Sequence, residues 1–82
     1  MITVQQISKE ITMEQIIKTI REDLKTPKHV RLVLFDKDMV IHVAEFCPET
    51  AILKSGRLNT LLTEQIKHDL SDATRFTLEE ID

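Results

Sequence analysis

The chain predicts an α+β fold in which a four-stranded antiparallel sheet is covered on one face by two helices. Three observations carry that expectation. Val30-Arg31-Leu32-Val33-Leu34-Phe35 and Met39-Val40-Ile41-His42-Val43-Ala44-Glu45-Phe46 are β-rich runs flanking the polar turn Asp36-Lys37-Asp38, which is a hairpin signal. Two segments, Met13 to Leu24 and Leu58 to Leu70, repeat apolar residues at helical spacing. Near the two ends, Ile2-Thr3-Val4-Gln5 and Thr74-Arg75-Phe76-Thr77-Leu78-Glu79 alternate with the period of two that a half-buried strand requires.

Taken in order, the first segment has two readings. Its β-branched residues suit a strand, whereas Thr3 with Gln6 could form a capping box and begin a helix. The next element is a helix from Thr12. Met13, Ile16, Ile17, Ile20 and Leu24 form one buried stripe, and Thr12 with Gln15 forms a capping box that satisfies free N–H groups of the first turn. Glu14 and Lys18 are spaced to pair on the wet side. Thr26-Pro27 ends the helix, because the proline ring disfavours helical geometry in the residue before it.

After the hairpin, Pro48-Glu49 reads as a first helical turn and Lys54-Ser55-Gly56 as its end, although Thr50 to Leu53 could equally be a bent edge strand. Leu58, Leu61, Leu62, Ile66 and Leu70 line one side of the second long helix. In the closing strand Phe76 and Leu78 point inward. With the first segment as a strand, every element finds a partner. The result is a βαββαβ, ferredoxin-like sandwich, one globular domain over residues 1–82.

Neither face of the hairpin is cleanly polar. Setting Phe35 across from Val40 puts Val30, Leu32, Leu34, Ile41 and Val43 on one face, to pack against the helices. The other face then shows Arg31, Val33, Phe35, Val40, His42, Ala44 and Phe46. A half-exposed antiparallel sheet normally alternates apolar with polar residues, so a second face this apolar calls for a cover.

Composition narrows the function classes. Eighty-two residues bury only about 60–65% of the unfolded surface, so stability depends on good packing. Three Phe and no Trp or Tyr leave no aromatic platform for stacking bases. The net charge of −3 gathers towards the C-terminus, at Asp69, Asp72, Glu79, Glu80 and Asp82, and exerts no long-range pull on phosphates. Such charge also serves simply to keep a small domain in solution. A lone cysteine, Cys47, cannot make an internal disulfide, which favours a reducing, cytoplasmic setting. No apolar run approaches the ~20 residues of a membrane span, and no signal-peptide pattern opens the chain.

The candidate chemistry is sparse. Cys47 beside Pro48 could sit at a helix N-terminus, where thiolate is favoured, with His42 as a base nearby in sequence. No third orienting residue or glycine-built oxyanion loop accompanies them, and free cysteines commonly pack as small hydrophobes. His29, His42, His68 and Cys47 lack metal-ligand spacing, and Asp36 and Asp38 suit a turn better than a calcium loop. One glycine, Gly56, cannot build a phosphate loop. No catalytic residue, metal or cofactor is therefore expected. His42 in a semi-apolar setting could act as a pH switch, or simply hydrogen-bond a neighbour.

If the first segment is helical, Thr3-Val4-Gln5-Gln6-Ile7-Ser8-Lys9-Glu10-Ile11, the helix Thr12 to Lys25 and the hairpin resemble a winged-helix domain in outline. The resemblance covers about half the chain and implies a recognition helix, a wing and nucleic-acid binding. This sequence departs from it in charge. The recognition helix would expose Glu14, Glu22 and Asp23 beside Lys18, Arg21 and Lys25, and the wing tip carries two Asp. The leading expectation is instead a non-enzymatic accessory or regulatory protein. It would bind another protein, or itself as a homodimer, through Arg31, Val33, Phe35, Val40, His42 and Phe46.

Overall fold

A computed structural model of the chain describes residues 3–81. Ile2, expected at the start of the first strand, and Asp82, at the acidic end, lie outside the described residues. The elements are β1 (Thr3–Ile7), α1 (Met13–Lys18), β2 (His29–Asp36), β3 (Met39–Phe46), α2 (Pro48–Ala51), α3 (Thr60–Asp72) and β4 (Arg75–Ile81). Residues Thr3–Ile7 pair with β4, so the segment is a strand, and the first helix of the winged-helix alternative is not formed.

The strands form one antiparallel sheet in the order β1-β4-β2-β3. The order of elements along the chain is β-α-β-β-α-β, with α2 as an extra turn of helix, but the ferredoxin-like assignment does not hold at the level of strand order. That sheet would place β1 and β3 in the centre, whereas here β4 and β2 are central and β1 and β3 are the edges. The central strands carry the fully buried residues Val30, Leu32, Leu34, Phe76 and Leu78, packed beneath Ile16, Ile20 and Ile66 of the helical layer. Central strands lie under that layer along their whole length, which is why the densest apolar runs sit there.

The Thr12 capping box forms as expected. The Thr12 hydroxyl accepts from the Gln15 N–H, and the Gln15 side chain accepts from the Thr12 N–H. The Glu14–Lys18 ion pair does not form among the described residues, and both side chains stay in solvent. After Lys18 the helix widens into a π-helical turn, Thr19–Asp23, with the Leu24 N–H bonded to the Thr19 carbonyl. Buried Thr19 donates its hydroxyl to the Gln15 carbonyl, a back-bond that loosens the regular ladder. Lys25 and Thr26 then turn with φ of 56° and 50° before Pro27.

In α3 the N-cap is Asn59, whose side chain accepts from the Leu62 N–H. Leu62, Ile66 and Leu70 face inward, and Leu61, expected in the core, is 72% exposed. Both readings of the 48–58 segment hold in part. Pro48 opens the short α2, Ile52 then bridges to Leu58 as a bent strand would, and Gly56 supplies a φ of 82° in the turn between them.

Candidate functional site: the open face of the sheet

The hairpin register decides which residues reach the uncovered face. Phe35 lies opposite Val40, as expected, but Leu34 lies opposite His42, so Ile41 is an extra residue in a β-bulge. From that point the face of every β3 residue is inverted relative to a regular hairpin. His42, Ala44 and Phe46 therefore turn to the helical side, opposite Leu34, Leu32 and Val30. Ala44 is buried, and Phe46 and Ile41 pack against the core. Val43 and Glu45 take their places on the open face. Of the six residues expected to bind a partner, Arg31, Val33, Phe35 and Val40 share that face, while His42 and Phe46 do not.

His42 has a partner within the chain. Its Nδ1 lies 2.9 Å from Oδ2 of Asp69 on α3, both half-buried, so the pair ties the edge strand to the helical layer. Cys47 is the N-cap of the four-residue α2 and makes no capping hydrogen bond through its side chain. Five residues along a strand span about 16 Å, which puts the Cys47 thiol beyond hydrogen-bond reach of His42. Among the described residues no group of three His, Cys, Asp or Glu could hold a metal, and no helix is long and apolar enough to cross a membrane.

Reading the register across the sheet from β1 to β3 gives three rows on the open face that cross all four strands, with His29 and Ile81 beyond the third. The first, next to the hairpin turn, is Ile7, Arg75, Phe35 and Val40. The middle row is Gln5, Thr77, Val33 and Val43. The third is Thr3, Glu79, Arg31 and Glu45. Val40 and Val43 are each about half exposed (51% and 53%) and Ile7 is 72% exposed, so both edge strands show apolar surface, with Arg75 between Ile7 and Phe35. Arg75 lies flat on Phe35, its guanidinium carbon 3.7 Å from the ring centroid, and shields the largest apolar group.

The third row is an ionic ladder. Arg31 Nε bonds Glu45 Oε2 at 2.7 Å, and its Nη1 lies 3.8 Å from Glu79 Oε1. The hydrogen bond to Glu45 and that carboxylate's charge, with Glu79 adding to them, raise the Arg31 pKa above its already high ordinary value. This end of the face thus holds two carboxylates around one permanent cation. At the opposite end Arg75 is the charged residue of the row, and with Lys9, Lys37 and Asp38 it lines a shallow depression beside Ile7. The open face is apolar over the hairpin strands, with a net acidic row at one end and Arg75 in the row at the other.

Sequence reasoning missed Val43, Glu45 and Glu79 as members of this surface. For Glu79 the alternation of β4 was a usable signal, since Phe76 and Leu78 inward put Arg75, Thr77 and Glu79 outward. Another concave feature among the described residues is a groove of about 330 Å³ between α1 and the turn before α3, walled by Met13, Ile17, Leu53 and Leu58. Its charged side chains, Glu14 and Arg57, are opposite in sign and exposed, so it offers no net charge to a ligand. No protein-family model, curated protein or solved structure matches the chain.

Proposed function

We propose that this protein is a small non-enzymatic accessory or regulatory protein that binds another protein, or a second copy of itself, through the open face of its sheet. The observation that supports this reading is the contiguous apolar block of Val33, Phe35, Val40 and Val43, with both β3 valines about half exposed, on the face opposite the buried core residues of β2 and β4. Apolar patches rimmed by charge on small domains commonly mark protein interfaces. The single cysteine suits a reducing compartment, and the cytoplasm is the setting proposed.

The test is a pair of variants, Val43→Asp and Phe35→Asp. Val43 is half exposed and outside the core, so Val43→Asp should melt close to the wild type while losing association, read as solution mass and as capture of partners from host lysate with and without nuclease. A folded Val43→Asp protein that keeps wild-type mass and captures the same proteins overturns the reading. Capture that disappears with nuclease also overturns it, in favour of nucleic acid.

A further inference from the structure

The open face is polarised, and its polarity selects one occupant. Its four charged residues, Arg31, Arg75, Glu45 and Glu79, sum to zero, yet the cations and carboxylates are not evenly placed. The row next to the hairpin turn carries Arg75 as its charged residue, and the third row carries Glu45 and Glu79 against Arg31. A partner surface of one sign would meet like charge at one end of this face. A surface with the same dipole, turned end for end, meets opposite charge at both. The nearest such surface is the face itself.

Resting on the open-face reading, we propose that the occupant is a second copy of this chain, packed sheet on sheet about a twofold axis that runs across the strands, over the middle row. Of the twofold axes in the plane between the faces, two keep the strands of the copies aligned. An axis along the strands lays the basic end of one copy on the basic end of the other. An axis across the strands keeps each strand over its own counterpart and exchanges the first and third rows. Arg75 then faces Glu79 of the second copy, and Glu79 faces its Arg75, because both residues lie on β4 and flank Thr77. Val33 and Val43 meet their own counterparts across the axis and exclude water from the centre, while Phe35 comes over Arg31. The interface is isologous, with two Arg75–Glu79 pairs closing it at either end.

Sedimentation equilibrium of the full chain at low salt tests this, using wild type, R75E, E79R and the double swap R75E/E79R, each confirmed folded by its melting curve. Wild type should sediment as a monomer–dimer equilibrium that weakens with salt. Each single reversal places like charges together at two symmetric points and should raise the dimer Kd roughly tenfold. The double swap restores both pairs and should return the Kd to within about threefold of wild type. A dimer equally weakened by the double swap contradicts the axis. A wild type that is monomeric at every concentration contradicts self-association. In that case Val43→Asp separates the two claims. Loss of a captured partner keeps the open-face reading with a different occupant, and unchanged capture removes both.

Discussion

β2 and β3 are the arms of one hairpin and equal in length, eight residues each, yet they relate to their sequences in different ways. In β2 the alternation is regular. Val30, Leu32 and Leu34 are fully buried, and Arg31, Val33 and Phe35 are half exposed on the other side. In β3 the first residue after the turn follows the same rule and the rest breaks it, because Ile41 is inserted as a bulge and shifts His42 to Phe46 by one position. A central strand held on both sides by partners has no room for an extra residue, whereas an edge strand has one free side and can bend around it. The bulge adapts the edge to two demands. It brings His42 to Asp69 on α3, and it puts Val43 and Glu45 where the open face needs an apolar centre and a counterion for Arg31.

The sharpest way to break this comparison is to truncate neighbours on opposite faces. Leu32→Ala opens a cavity beneath the helices and should cost about 2–5 kcal/mol, a large part of the stability of a domain this size. Val33→Ala, one residue away, removes side chain only from the open face and should cost under about 1 kcal/mol. Urea unfolding of the two variants checks the pair, and equal losses would mean that the second face is covered within the monomer. A smaller effect is expected at the bulge. His42→Ala severs the tie between β3 and α3, and should cost about 1 kcal/mol because half-exposed Asp69 recovers water. It should also raise hydrogen exchange in β3 and in the β2 amides bonded to it, while the β2 amides bonded to β4 stay protected. An unchanged exchange pattern would mean that the pair does not hold the bulged edge. The smallest effect belongs to Arg31→Gln. The Arg31–Glu45 bond links the two strands in the open, so its loss should lower the melting point slightly and only at low salt. A shift that persists in high salt would contradict a solvent-screened contact.

Much of this fold was legible in residue patterns, and the failures share a cause. The Thr12–Gln15 capping box, the stripe Ile16, Ile17, Ile20, Leu24, and the inward Phe76 and Leu78 each follow from local spacing. The bulge left no such trace, since Val40-Ile41-His42-Val43 is compatible with either face and the contact that accompanies the observed register, Asp69, lies far along the chain on α3. Leu61 was misplaced for a related reason. Leu61 and Leu62 are adjacent, and the inward stripe is Leu62, Ile66 and Leu70 at a spacing of four, from which Leu61 is turned by about 100°. Strand order was beyond local reading too, because β4 slots between β1 and β2 through pairings that span most of the chain. At the candidate site, four of the six expected residues lie on the open face, and the two misplaced ones, His42 and Phe46, both follow the bulge.

The account turns on which methyl groups of the hairpin meet a partner. The most direct measurement is a methyl-resolved NMR dilution series on the full chain, following Val30, Val33, Val40, Val43, Leu32 and Leu34 as association proceeds. The account predicts that Val33, Val40 and Val43 shift with concentration while Val30, Leu32 and Leu34, enclosed under the helices, stay in place. Concentration-dependent shifts confined to methyls of the helical layer, with the three open-face valines unmoved, would contradict it.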